Sequence, residues 1–345
     1  MGISQDLNIA QALIEAGTKY KKEILTAPVV AFDEVKPYFT IRNGIQGKIV
    51  GGILTVNGQF RPYRTEKGAS GVGNIKPYEW EVYLGDLVKE FDPNVVLGSL
   101  YTEPTATKPD QMAIARRIAL EVALKAGEAL YDNLFTAVRN AEGDTSADLF
   151  NGYHTIFAKA ITDAIASEAI GNYMDLTGTP IGAHNAGDVL KSIFQNLNRM
   201  LRRGRQLSLY CPPSIVDYYE TWFQQEFGHT PWNKGYQQKE LHSSRGRLHF
   251  VELDNMETGN FMYVTVKENM NIGFDRESDK EQVEIRRVDN PKVVQLFMKT
   301  HFGVGFETIM PEYLCGVKFG HYVPEEPEEP GQGGSGDSGS SGTNS

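Results

Sequence analysis

The chain carries two cysteines in 345 residues, Cys211 and Cys315, far apart and with no second thiol at metal-ligand or redox spacing. Each sits in an apolar, strand-like run, LSLYCP and EYLCGV. A disulfide framework is thereby excluded, and two buried thiols in a reducing compartment are expected. Long apolar runs are lacking too: nothing approaches the ~20 residues a helix needs to cross a bilayer. The opening MGISQDLNIAQALIEAG has no basic flank followed by an apolar core, and Asp6 stands where a myristoylation signal carries Ser or Thr. The expectation is a soluble, unexported chain with no membrane partner. Basic residues are in deficit, with Lys+Arg 34 against Asp+Glu 44 and a formal charge of −10. Half of that charge lies in residues 324–345, where Glu325, Glu326, Glu328, Glu329 and Asp337 face no base. A body this mildly acidic is no general binder of phosphate backbones, although a local basic patch remains open. Metal-site patterns are missing as well. The seven histidines show no HExxH or paired-cysteine arrangement, and no loop of alternating acids is present. They read as surface or core histidines, and neither a metal nor a cofactor is expected.

Glycine, in contrast, is plentiful, and GASGVG at 68–73 has the spacing of half a phosphate-cradling loop. Such a loop continues with Lys and then Ser or Thr, because the ammonium reaches the terminal phosphates and the hydroxyl holds magnesium. Here Asn74 and Ile75 follow Gly73. The flanks are QFRPYRTEK and NIKPYEWEVY, not a buried strand and a helix. Gly68, Gly71 and Gly73 therefore read as the flexible tip of a hairpin, with a nucleotide-binding enzyme as the alternative of another class. Beside the tip, Tyr78, Trp80, Val82 and Leu84 alternate with Glu79, Glu81 and Tyr83, the period of a strand, and QFRPYR flanks the other side. A lone two-stranded hairpin is marginal in water, and no neighbouring segment offers it a surface. Three further fragments imitate chemistry: DLTGT at Asp175, GDSG around Ser338 and GASG at Gly68. Each lacks the residues or setting its chemistry needs, so no catalytic residue is assigned and the chain is read as a non-enzyme.

The remaining chain divides by periodicity. Ile9, Leu13 and Ala16 share one helical face, and the glycine-rich FTIRNGIQGKIVGGILTVNGQF then runs extended. Residues 108–140 predict a long helix, opened by Thr107, Pro109 and Asp110 and about 45 Å in length. Its stripe Ile114, Ile118, Val122, Ala126, Leu130, Leu134 and Val138 drifts by ~40° per step, so it should meet more than one partner. An α/β rhythm follows. A helix carries Leu190, Ile193, Phe194, Leu197 and Leu201 and closes at Gly204; a strand carries Leu207, Leu209 and Cys211; a helix opens at Pro212 and Pro213 and closes at Gly228. RLHFVEL and NFMYVTV are further strands, and QVEIRRVDNPKVVQLFMKTHFGVGF reads as two long strands about Asp289, Asn290 and Pro291. Residues after Val323 lack apolar side chains and read as a disordered tail. RMLRRGRQ contains Arg199, Arg202, Arg203 and Arg205, which suit either a helix end or a contact with phosphate or an acidic neighbouring subunit.

This order, together with SADLFNGYHTIFAKAI, RQLSLYCPPSIVDYYETWFQQEFG, NFMYVTVKENMNIGFDRESD and NPKVVQLFMKTHFGVGFETIMPEYL, resembles the major capsid protein of tailed bacteriophages. That is the Hong Kong 97 fold, which encapsulins share. The resemblance implies an α+β chain with an N-terminal arm at 1–47, an E-loop hairpin at 48–100, and a spine helix with peripheral domain at 101–150. An inserted α/β axial domain at 151–280, peripheral return strands at 281–323 and the acidic tail at 324–345 complete it. It further implies hexamers and pentamers forming an icosahedral shell around double-stranded DNA, a separate scaffold and portal, and assembly in a bacterial cytoplasm. An encapsulin-like compartment is the structural alternative. Within this resemblance, Tyr78, Trp80 and Val82 become hairpin packing residues on an adjacent subunit, and Lys67 with Asn290 a candidate intersubunit crosslink.

Overall fold

Two sheets organise the chain, and the sequence periodicities explain which strands enter each. The computed structural model describes residues 14–45, 47–55, 74–91, 111–203, 206–228, 239–274, 283–287 and 294–321. The glycine tip, Lys67, QFRPYR, the Thr107 to Asp110 cap, Gly204, Arg205, Asn290 and the acidic tail lie outside them.

The first sheet is built on β3 (Asn74–Phe91) and β10 (Val294–Phe306), paired antiparallel from Val294↔Phe91 to Phe302↔Tyr83. β9 (Val283–Arg287) flanks the first half of β10, and β8 (Met270–Phe274) pairs with its second half. β1 (Thr40–Asn43) joins β8 in parallel. β2 (Gly47–Thr55) pairs with the early part of β3 and completes the order β1-β8-β10-β3-β2.

The second sheet has the order β4-β11-β7-β5-β6. Its strands are β4 (Tyr173–Ile181), β5 (Leu207–Cys211), β6 (Leu248–Glu252), β7 (Phe261–Thr265) and β11 (Leu314–His321). β11 comes from the segment expected to return to the peripheral domain, yet it pairs with β4 and β7. Conversely β8, from the segment expected to be inserted, lies in the first sheet. The exchange follows from connectivity: β10 and β11 are separated by only a short loop, and crossing there stitches the two sheets together.

Helices cover what the strands leave apolar. α1 (Lys21–Val30) lies against α2 (Gln111–Asp132), whose 22 residues span ~33 Å at ~1.5 Å each. The expected 108–140 rod is thus too long at its C-terminal end. The chain turns after Asp132 because Leu134 and Phe135 are fully buried, while Val138, expected on the stripe, is 59% exposed. α2 does meet two partners: Ala119 and Ala123 pack with α1, Ile285, Leu296 and Met298, and Leu130 enters the main core.

α3 (Tyr153–Thr162) supplies Tyr153 and Phe157 to that core, which is dominated by aromatic rings. Phe39, Phe135, Tyr153, Tyr263 and Phe306 meet at centroid separations of 5.1 to 6.5 Å. Such ring pairs add to what their burial contributes.

α4 (Ala186–Asn196), α5 (Arg199–Arg202) and α6 (Pro213–Phe227) cover the second sheet's other face. The predicted helix through Leu201 is therefore two. Asn198 interrupts it, accepting a 2.8 Å hydrogen bond from Met200 N to cap α5. α6 opens at the proline pair and ends at Gly228, whose φ of 79° only glycine adopts without strain. With both faces covered, β7 is buried at every position, which is why FMYVT reads as continuous apolar sequence and not as alternation. Cys211 and Cys315 are free thiols buried in this second core, and burial pushes Cys315 up to about 12.

Candidate functional site

The hairpin proposed from GASGVG is formed by β2 and β3, in register from Gly47↔Val82 to Thr55↔Asn74. The partner of YEWEVY is thus GKIVGGILT. Gly-rich sequence serves as a strand here because its ladder needs only backbone groups.

At the hairpin root β3 changes partners. Val82 is the last residue paired with β2, and Tyr83 is the first paired with β10. The same step reverses the faces, leaving Leu84 49% exposed although it continues the alternation of Tyr78, Trp80 and Val82.

Those three residues do not wait for a neighbouring subunit. They are 6%, 3% and 4% exposed and belong to the chain's own core. The surface they occupy is a trench of glycines on β8 and β10. A Cβ at Gly305 would lie 2.4 Å from Trp80 Cγ, one at Gly303 2.9 Å from Val82 Cα, and one at Gly273 2.9 Å from a Val82 methyl. The absence of side chains at these three positions lets β3 cross directly over the sheet. The signal is present in the sequence as FGVGF and NIGF, but only the tertiary crossing gives those glycines their meaning.

A polar clasp surrounds the root. Lys48 Nζ lies 3.1 Å from Glu81 Oε1 and 3.6 Å from Glu79 Oε2. Tyr83 Oη donates to Glu81 Oε2 at 2.5 Å, and the Arg139 guanidinium lies 4.8 Å from the Tyr83 ring centre. Tyr83's hydrogen bond, then Lys48, holds the Glu81 carboxyl below its usual range; burial first, then the Glu81 contact, raises Tyr83 to about 12. Between the clasp and α3 lies a cavity of about 430 Å³ lined by Trp80, Glu81, Thr155, Lys159 and Asp163.

His154, one of the histidines set aside above, is a core residue. Its Nδ1 is 2.8 Å from Tyr263 Oη, it packs against Phe135 and Phe261, and burial lowers its pKa to about 3. Among the described residues no group of three or more His, Cys, Asp or Glu is placed to hold a metal ion. No helix among them is long and apolar enough to cross a membrane.

Of the arginine cluster, Arg199 and Arg202 lie on the one-turn helix α5 and Arg203 follows it. The turn into β6 adds Arg247, whose Nη1 donates to the Arg202 carbonyl at 3.4 Å, a residue that sequence spacing did not connect to the cluster.

No family model matches this sequence, and no curated protein is similar to it. Solved structures are similar in fold. A chain of the satellite phage P4 procapsid, solved with its size-determination (Sid) protein, matches at a TM-score of 0.53 and 13% identity, covering 88% of this chain and 100% of that one. A capsid chain of an empty GTA particle matches at 0.51 and 11% identity, over 83% and 89%. The cyanophage A-1(L) capsid matches at 0.51 and 12%, over 86% and 94%. The mixed α+β chain therefore has the Hong Kong 97-type capsid fold.

Proposed function

We propose that this chain is a structural major capsid protein of a tailed bacteriophage or prophage. It self-assembles through hexamers and pentamers into an icosahedral shell enclosing double-stranded DNA. The observation that carries the reading is the similarity to the P4 procapsid chain along the whole of that chain and 88% of this one. The hairpin agrees with it. Its root is fixed in the chain's own core, while among the described residues β3 before Val82 is paired with β2 alone, which leaves its other edge for another copy. In this reading Gly68, Gly71 and Gly73 form the intersubunit tip, and a separate scaffold and a portal take part. The shell is built in the bacterial cytoplasm and becomes the virion capsid. A Lys67 to Asn290 crosslink between subunits belongs to the same proposal. Boiling assembled shells in detergent should then leave ladders on a gel, and recovery of monomer alone would reject that crosslink.

Electron microscopy of the expressed full chain, alone and with neighbouring gene products, tests the function. Capsomers or closed shells are expected. Monomers persisting under every such condition would overturn it, and closed shells that hold protein cargo without DNA would favour an encapsulin-like compartment.

A further inference from the structure

The arginines at one end of the second sheet form a larger surface than RMLRRGRQ alone. β5 and β6 are parallel, and their starts are joined where Leu207 N donates to the Arg247 carbonyl at 2.7 Å. Around that point stand Arg199 and Arg203, exposed and one turn apart, Arg202, and the exposed Arg245 and Arg247. None of the five forms an ion pair with a described residue. The acid beside them, Glu240, turns to His249 at 3.4 Å. Five guanidiniums gathered at one end of the sheet, with no ion pair among the described residues, make a surface suited to an anionic ligand.

The chain supplies such a ligand. Residues 325–329 hold four glutamates, and 324–345 hold no base. The topology decides between the chain's own tail and a neighbour's. β11 and β5 both pair antiparallel with β7, so they run in the same direction. His321 therefore leaves the sheet at the end opposite the arginines, which lie beyond the start of β5. That separation is about 28 Å, the diagonal of a strand's length of ~26 Å along the sheet and two strand spacings of ~4.8 Å across it. Glu325 is four residues past His321 and reaches at most ~14 Å, and Glu329 reaches that distance only at full extension, ~28 Å.

We infer that the glutamate segment Glu325–Glu329 of one subunit docks on the surface formed by Arg199, Arg202, Arg203, Arg245 and Arg247 of a neighbouring subunit. The inference rests on the self-assembly proposed above.

Its test uses two full-length chains assembled together, one bearing Arg203→Cys and the other Glu326→Cys, oxidised mildly as purified particles. A reducible dimer is expected on a denaturing gel, several-fold above that from Glu326→Cys paired with Glu142→Cys, a distant exposed site. As a second measurement, Arg199→Glu with Arg203→Glu and Arg247→Glu should lower particle yield several-fold. Replacing Glu325, Glu326, Glu328 and Glu329 by Lys in the same chain should restore it. Particles that form without the dimer overturn the docking and leave the capsid reading intact. A crosslink found only when both cysteines are on one chain overturns the docking between subunits. Loss of packaged DNA in the arginine variant, with no dimer in the wild-type background, assigns the surface to nucleic acid instead. Failure of the unaltered chain to form any particle overturns the capsid reading and this inference with it.

Discussion

At the scale of single residues, the hairpin root rests on a tryptophan filling a space that three glycines leave open. Gly305→Ala places a Cβ 2.4 Å from Trp80 Cγ and 2.5 Å from Cδ2, so the buried indole must shift to admit it. The expected cost is ~1–3 kcal/mol, as for other overpacked cores, read as a lower urea midpoint. Trp80→Ala should cost more, ~3–5 kcal/mol, because it removes ring contacts as well as burial. An unchanged midpoint in both variants would show that the hairpin root is not held by this trench. His154 gives a second residue-scale expectation. Its folded pKa of about 3 lies below its ordinary 6.5, so the unfolded chain takes up the proton first. Its contribution to stability is complete above pH 6.5 and is lost as pH falls from there towards 3, at ~1.4 kcal/mol per pH unit. His154→Gln should flatten the fall of the urea midpoint between pH 7 and 4; parallel profiles for variant and wild type would exclude this assignment. The buried side of Tyr78, Trp80 and Val82 was legible as alternation. Its partner was not, since glycines in FGVGF leave no apolar periodicity to read.

At the scale of elements, α1 and α2 touch where neither carries bulk. A Cβ at Gly127 would lie 2.4 Å from the Pro28 carbonyl oxygen, backbone that no rotamer change can clear. Gly127→Val should therefore separate the two helices and lower stability by ~1–3 kcal/mol or more. Loss of hydrogen-exchange protection confined to 14–30 and 111–132 would identify the cause, and native protection there would contradict it. The length of α2 shows where periodicity misleads. The four-residue repeat continues through Leu134 and Val138, but Leu134 packs after a turn and Val138 is exposed. A repeat of apolar residues reports burial, and a chain that bends can bury the next member without continuing the helix. The opposite holds for α6, where local chemistry, prolines at the start and Gly228 at the end, sets both boundaries and the sequence reading holds.

At the scale of the whole molecule, the two sheets are joined by β10 and β11, successive strands that go to different sheets. Neither sheet is a continuous stretch of chain, and the chain should unfold with strong coupling between them. Urea unfolding of a Trp222→Phe, Trp232→Phe variant, in which tryptophan fluorescence samples only Trp80 in the first sheet, followed in parallel by hydrogen exchange at β5 and β7 in the second, should give coincident transitions. Well-separated transitions would mean the sheets are independent units.

The sequence by itself determined the element types, the buried free thiols and the α/β rhythm from Leu190 to Thr265, because these depend on local periodicity and on proline and glycine at fixed places. It also supplied the order of elements that carries the resemblance to the capsid fold. The tertiary structure alone decided that GKIVGGILT is the partner of YEWEVY, that the root of the hairpin is buried in its own subunit, that β8 and β11 exchange sheets, and that Arg247 joins the arginines of α5. Each of these is a contact between segments distant along the chain. Pairing through backbone groups, or through a glycine's missing side chain, leaves no periodic mark in the residues that make it.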